Sequence, residues 1–332
     1  MGHRIAKAAR LYPLSVADLL VLSREDVSRC LDLDGLRQQL TQAFIAFSAG
    51  RTSVPPRMAA SAPDGFLGAM PGFVPGVGFG LKAVTVFASN HGTDIASHQG
   101  LIALFDPSNG SPVAVMDASL ITEVRTALSA AIGVDLGARR EATSLAVIGA
   151  GALGHEHMRV LHGIRPWTDI RVASRTHANA VALAAQHPGS RAVATFEEAA
   201  RGADVVCLCT DAAESVIEHE WLATGAHVSS VGRGAEIPAA TVSAAMADGV
   251  VIVEWRGAAV NAPPAGAREL QGHDPAAMVE MGEILSGQAV GRSSDSSISV
   301  YKSTGHAIED LAAARLVLDT AKANGLGSRA PI

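Results

Sequence analysis

Ser144-Leu-Ala-Val-Ile-Gly-Ala-Gly-Ala-Leu-Gly154 is the stretch whose reading decides the fold. A short aliphatic run, Ser144 to Ile148, passes straight into Gly149-Ala150-Gly151-Ala152-Leu153-Gly154, and His155 to Ile164 then follows with helical spacing. The order is strand, glycine turn, helix. The first glycine permits a tight turn, the second lets backbone approach a pyrophosphate, and the third allows close helix–strand packing. The helix start meanwhile offers free N–H groups to an anion. In a chain with 33 Gly such a run can be a plain loop, but the flanking strand and helix favour dinucleotide binding.

The same rhythm continues downstream. Strands are expected at Ile170–Ala173, Arg191–Ala194, Asp204–Thr210, His227–Val231 and Gly249–Val253, separated by helices such as Ala178–Gln186 and Glu197–Arg201. Strands alternating with helices predict a doubly wound parallel sheet covered on both faces, a Rossmann-type α/β fold. The first ~125 residues read differently: a helical opening, Pro- and Gly-rich connections at Val54–Arg57 and Met70–Gly76, then an antiparallel meander. Its strands are Leu81–Phe87, Leu101–Phe105 and Pro112–Met116, with Asp106–Gly110 as a turn. A long helix over Gly305–Gly325, apolar at Ile308, Leu311, Ala312, Leu316 and Ala321, is expected to return to this first lobe. The division expected is therefore an α+β domain over 1–124, rejoined by 308–332, and a Rossmann domain over 125–307. A helix near Thr122–Leu136 is shared between them.

At 332 residues the chain exceeds the usual single domain, and 48% hydrophobic with 17% charged residues suits a packed core. Its 26 Lys and Arg against 32 Asp and Glu leave a net charge of -6, which offers no general attraction for nucleic acid or an anionic membrane. A local basic pocket for one small anion is compatible with that balance. Cys30, Cys207 and Cys209 are too few for a disulfide framework, and the last two sit in an apolar run. Met1 to Lys7 lacks the apolar core of an export signal, and no apolar run reaches the ~18 residues that would cross a bilayer. A cytoplasmic protein is the expectation.

Cofactor choice is read at the end of the second Rossmann strand. An NAD site usually places Asp or Glu about 20 residues beyond the glycines to hold the ribose hydroxyls. Here Ser174-Arg175-Thr176 stands there instead. Arg175 can neutralise a 2′-phosphate and the two hydroxyls can donate to it, which favours NADP; a solvated surface arginine is the plain alternative. In the first lobe Arg57 follows a double proline, Lys82 interrupts an apolar strand, and Arg125 opens a helix. A lysine in such a strand is costly to bury unless it meets an anion, either a substrate carboxylate or an internal partner. His91, His98 and His306 lack the tight spacing of metal ligands, so no metal is expected, and His155 and His157 are expected to be solvated.

With these residues in view the chain resembles the ornithine cyclodeaminase and mu-crystallin family over nearly its whole length. The resemblance rests on Val54-Pro-Pro-Arg57, Met70-Pro71, Gly80-Leu-Lys82-Ala-Val-Thr-Val-Phe87, Ser97-His-Gln-Gly100, Leu104-Phe-Asp106 and Arg125-Thr-Ala127. It extends to the glycine turn, Gly291-Arg-Ser-Ser-Asp295 and Lys302-Ser-Thr-Gly-His-Ala-Ile-Glu-Asp310. It implies a homodimer whose first lobe binds substrate and dimerises, facing a Rossmann lobe that holds the nicotinamide. It also implies that Arg57, Lys82 and Arg125 grip a substrate carboxylate, with Lys82 and Arg125 as the catalytic pair and Lys82 a candidate proton donor. Gly149, Ala150, Gly151, Ala152 and Leu153 would then hold the pyrophosphate, and Thr126, Thr210, Val231 and Thr304 would lie by the cofactor.

The departures from the family pattern carry information too. Cyclodeaminases of this family have an acidic residue after a Val-Gly at a strand end, and here Val231-Gly-Arg-Gly234 puts Gly234 in that place. A second carboxylate before Met-Pro is also missing, because Gly68-Ala69 precede Met70. Glu236 can substitute if the loop shifts, or be an ordinary exposed loop carboxylate. Mu-crystallin-like reductases lack the same Asp. The expected function is therefore NADPH-dependent reduction of the C=N bond of a small imino or cyclic ketimino acid. The alternatives are an NAD-dependent ornithine cyclodeaminase and a non-catalytic dinucleotide-binding protein.

Overall fold

The computed structural model describes residues 18–90, 93–232 and 234–332. Residues 1–17, His91, Gly92 and Arg233 lie outside them. In chain order the first part forms β1 (Asp18–Leu22), α1 (Arg24–Cys30), α2 (Leu33–Ser48), β2 (Met58–Ala62), β3 (Gly65–Val74), β4 (Gly78–Val86), β5 (His98–Phe105), β6 (Pro112–Asp117) and α3 (Ser119–Gly137). There follow β7 (Ser144–Ile148), α4 (Ala152–Leu161), β8 (Asp169–Ala173), α5 (His177–Ala184), β9 (Ser190–Ala192), α6 (Phe196–Ala200), β10 (Val205–Leu208), β11 (His227–Ser230), α7 (Ala239–Asp248), β12 (Val250–Val253), β13 (Val279–Glu280), α8 (Met281–Leu285) and β14 (Ser299–Lys302). The chain ends with α9 (Ala307–Asn324) and β15 (Ser328–Pro331).

Among the described residues the strands form two sheets. The first runs β15-β1-β6-β5-β4-β3-β2, antiparallel throughout except for the parallel β1/β6 pair. The second runs β13-β12-β14-β11-β10-β7-β8-β9 and is parallel at every pair. Every residue of β10, β11, β12 and β14 is buried, as central strands covered on both faces must be. The fold is thus a Rossmann-like α/β sheet joined to an α+β layer.

The structure departs from the sequence expectation in four places. The opening is not wholly helical, because Asp18-Leu-Leu-Val-Leu22 is a strand that β15 and β6 sandwich, a pairing with residues far along the chain. Met70–Gly76, expected as a connection, mostly belongs to the ten-residue β3, whose register with β4 tolerates Pro71 and Gly72. Ser299-Val-Tyr-Lys302 inserts between β11 and β12 although it comes after both in the chain. Between β10 and β11 there is also only a 3-10 turn at His219–Trp221 where a helix is expected.

Two helices position the candidate site. α3 buries nearly its whole circumference, from Ile121 to Val134, and contacts elements of both sheets, including β5, β11 and β14. α9 packs on α2, β3, β4 and β5. Glu309 and Asp310 in its first turn suit the positive end of the helix dipole and sit fully buried.

Candidate active site

The glycine turn after β7 has the geometry its sequence requires. Gly149 adopts φ +112°, and a Cβ there would lie 2.4 Å from the Cys209 carbonyl oxygen. A Cβ on Gly154 would lie 2.0 Å from the Gly149 carbonyl, so this glycine lets α4 close on the turn. Gly151 differs: nothing stands within 4 Å of where its Cβ would be. That open side, beside the N-terminus of α4 capped by no side chain, is a cradle that fits a phosphate, with Ala150, Ala152 and Leu153 around it.

Ser174, Arg175 and Thr176 follow the C-terminal end of β8, next to β7 in the sheet. Arg175 and Thr176 are exposed and Ser174 is half-buried. Thr176 is the N-cap position of α5 without a side-chain hydrogen bond, so its hydroxyl is not committed to the helix.

Arg57, Lys82 and Arg125 come from three separate parts of the chain to the start of α9 and the two carbonyls shortly before it. Lys82 lies on β4 opposite Met70, and its Nζ donates to Asp310 Oδ1 at 3.0 Å. Arg125, on α3, donates from Nε to the same Asp310 oxygen at 3.0 Å and from Nη1 to Glu309 Oε2 at 3.1 Å, leaving Nη2 against Gly305. Arg57, between the double proline and β2, is half-buried and donates to the carbonyls of Thr304 and Gly305 at 2.6 and 2.7 Å. Lys82 and Arg125 therefore have internal carboxylate partners, while Arg57 is held by neutral carbonyls.

Electrostatics follow from the burial. Desolvation pushes the Lys82 ammonium down to about 8, with Arg125 adding to the fall and Asp310 opposing it. Burial also lowers Arg125, but Asp310, Glu309 and Glu254 outweigh it, so its guanidinium is raised and firmly charged. The Asp310 carboxyl, though buried, is held below its ordinary value by Arg125 and Lys82. Burial raises Glu309 well above the carboxylate range, with Glu254 and Asp310 adding to it against Arg125. Asp310 Oδ2 is buried with no hydrogen-bond partner among the described residues.

A small pocket opens beside this cluster at Arg57, walled by Val54, Pro55, Met70, Trp255 and His306. Trp255 comes from the Ala-, Pro- and Gly-rich stretch after β12, and its Nε1 donates to Thr304 Oγ1 at 3.1 Å. Glu254 fixes the same loop, accepting from Ser303 Oγ at 2.5 Å, Tyr301 Oη at 3.1 Å and the Thr304 amide at 3.1 Å. His306 is buried between the rings of Phe47 and Trp255, and burial pushes it down to about 3.

Thr126 is buried beside Arg125 on α3, Thr210 lies just beyond β10, and Val231 just beyond β11. Two sequence expectations need correction here. Glu236 is no exposed loop carboxylate: it is wholly buried and accepts hydrogen bonds from Thr210, Ser230 and Gly232. His157 is likewise buried rather than solvated, its Nδ1 donating to the Leu153 carbonyl at 2.7 Å and its pKa pushed down to about 4. His155 is half-buried and His98 exposed. No group of three or more His, Cys, Asp or Glu among the described residues is arranged to hold a metal ion. None of their helices is long and apolar enough to cross a membrane. The stretch Trp255–Pro275 is expected from its composition to help shape the pocket, and Trp255 does line it; the sequence reading missed Glu254, Lys302, Glu309 and Asp310 as contributors, although the last three belong to a stretch it singled out as Lys302 to Asp310.

Comparison with known proteins finds relatives along nearly the whole chain. The family model for the ornithine cyclodeaminase/mu-crystallin family matches residues 17–325. The ketimine reductase mu-crystallin of Mus musculus is 35% identical over 258 residues, covering 77% of this chain and 80% of that protein. The solved Thermococcus litoralis Delta(1)-pyrroline-2-carboxylate reductase, in complex with NADH and L-proline, superposes with a TM-score of 0.86 at 25% identity, covering 93% of this chain and 99% of that one. An archaeal alanine dehydrogenase dimer with bound NAD superposes with a TM-score of 0.84 at 25% identity, over 95% and 99% of the two chains.

Proposed function

The chain belongs to the ornithine cyclodeaminase/mu-crystallin family, and we propose that it is an NADPH-dependent reductase of the C=N bond of small imino or cyclic ketimino acids. Binding of a nicotinamide dinucleotide is supported by the open cradle at Gly151 and by relatives whose structures hold NADH or NAD. When bound, the reduced dinucleotide supplies the hydride. Gly149 to Leu153 hold its pyrophosphate, and Thr126, Thr210, Val231 and Thr304 line the nicotinamide side. Ser174, Arg175 and Thr176 take the 2′-phosphate, which the exposed guanidinium and the uncommitted Thr176 hydroxyl support over NAD.

The observation that carries the reading is the meeting of Arg57, Lys82 and Arg125 at one end of α9, next to a pocket whose walls include no carboxylate. A substrate carboxylate binds there, with the planar guanidiniums fixing its orientation. An imine must carry a proton on nitrogen to be a good electrophile, and Lys82, with a pKa near 8, can deliver one at neutral pH. Residues 1–124 with 308–332 form the substrate-binding and dimerisation unit on this reading, and 125–307 the dinucleotide-binding unit.

A homodimer is supported by the first sheet. Its register places Met58, Leu67, Phe79 and Leu101 on one face, opposite to Lys82, and all four are exposed. An open apolar face of this kind suits a second copy.

One set of assays tests the function. Purified protein is incubated with NADPH and 1-pyrroline-2-carboxylate, and separately with NAD and ornithine. Imine-dependent NADPH oxidation is the expected result; ammonia release from ornithine, or cofactor binding with neither turnover, overturns the reading.

A further inference from the structure

The carboxylate of Glu236 occupies the sheet edge where the dinucleotide is read to bind, yet it lines no part of the substrate cluster. Its side chain has no exposed surface. Oε1 accepts from the Thr210 amide at 2.9 Å and from Thr210 Oγ1, while Oε2 accepts from Ser230 Oγ at 2.8 Å and the Gly232 amide at 2.9 Å. A carboxylate has about four acceptor sites, so these four donors fill it. It has no lone pair left for a substrate amine.

The donors come from the C-terminal ends of two neighbouring strands. Thr210 follows β10, Ser230 ends β11, and β10 pairs with β7, which leads into the glycine turn. Behind Ser230, Lys302 Nζ donates to Ser230 Oγ at 2.9 Å and to the Gly232 carbonyl at 2.7 Å, and also meets Glu269 at 2.9 Å. A buried cation thus stands one hydroxyl away from the buried carboxylate. The intervening loop is shaped around it: a Cβ on Gly232 would lie 2.2 Å from the Glu236 carboxyl carbon. A Cβ on Gly234 would lie 1.7 Å from the Ala212 carbonyl oxygen, so the loop closes on the segment after β10 and leaves no room for an aspartate at 234.

We propose that Glu236 is a positioning residue: through Thr210, Ser230 and Gly232 it clamps the ends of β10 and β11 at the spacing the nicotinamide requires, and it takes no part in proton transfer. The inference rests on the dinucleotide reading above. Replacing the carboxylate with an amide turns one acceptor into a donor facing donors, which loosens the clamp without emptying the space.

The test uses the full-length protein with three variants, Glu236→Gln, Ser230→Ala and the pair together. NADPH affinity is measured by the quenching of protein fluorescence, kcat and KM by imine turnover, and folding by thermal melts. The expected result is a loss of NADPH affinity of tenfold or more in Glu236→Gln, with kcat at saturating NADPH within about threefold of the parent and an unchanged pH profile. The double variant should lose less than the product of the single losses, because both break one clamp. A pH profile that loses a limb, or a kcat collapse at unchanged affinity, makes Glu236 an acid–base group and overturns the proposal. NADPH affinity equal to the parent's in Glu236→Gln also overturns it. If Glu236→Gln does not fold, Ser230→Ala alone carries the same affinity-against-kcat comparison. Failure of the parent to bind any nicotinamide dinucleotide would instead remove the reading beneath.

Discussion

Lys82 Nζ and Asp310 Oδ1 meet at 3.0 Å, and their side chains are only 3% and 0% exposed. A pair this deep gains little net stability over an apolar replacement, but removing either partner strands the other charge. Asp310 also raises Lys82 against a burial penalty that pulls it down. Asp310 therefore offsets part of the fall that burial imposes on Lys82.

The first prediction follows from that sign. Protonated Lys82 is lost as pH rises through about 8, so imine reduction should fall on the basic side near there. Asp310→Asn removes the contact that raises Lys82, so the basic limb should move to lower pH, by about one unit or more. A pH profile of kcat/KM on both proteins checks this; an unmoved limb rules Lys82 out as the titrating group.

Arg125→Lys keeps a charge but loses the planar fork that spans Asp310 and Glu309. KM for the imino acid should rise by roughly tenfold to a hundredfold, the equivalent of about 1.5–3 kcal/mol for a charged hydrogen bond. Steady-state kinetics at saturating NADPH measures it. An unchanged KM would mean that Arg125 serves only its internal partners.

Gly151→Ala and Gly154→Ala should separate binding from folding. Space is open at Gly151, so the alanine should leave the melting temperature nearly unchanged and weaken NADPH binding at least tenfold. At Gly154 the added carbon would meet the Gly149 carbonyl at 2.0 Å, and the variant should melt markedly lower. Paired thermal melts and cofactor titrations distinguish the two effects.

Arg175→Ala should cut the preference for NADPH over NADH by about tenfold to a hundredfold, because a charge-assisted contact to phosphate is worth about 1.5–3 kcal/mol. Its side chain is exposed, so stability should stay within about 0.5 kcal/mol. Comparing kcat/KM for the two cofactors decides it, and an unchanged ratio assigns Arg175 to the surface.

Phe79→Lys with Leu101→Lys places two charges on the apolar face of the first sheet. The parent should run as a dimer in light scattering and the double variant as a folded monomer. A monomeric parent would remove that role for the face.

Legibility in the sequence tracked the range of the interactions involved. The β7–glycine–α4 unit could be read because its strand, turn and helix are adjacent in the chain and each glycine has a local steric cause. β1 and β14 were not legible, since their partners lie far off in sequence and Ser299-Val-Tyr-Lys302 has too short a run to stand out. Arg57, Lys82 and Arg125 were visible as cations in unusual places. That Asp310 would receive two of them was not, because its position on α9 looks like an ordinary acidic first turn. Glu236 was misjudged for a related reason: a carboxylate among glycines reads as loop, and its four donors come from three separate positions.

The chain passes between the two sheets at α3 and again where β14 runs through Thr304 and Gly305 into α9. Arg125 sits on the first passage, and Arg57 grips the carbonyls of the second. On the function proposed above, the residues that hold the substrate carboxylate lie on or against both passages, so the grip belongs to the seam between the sheets and to neither sheet alone.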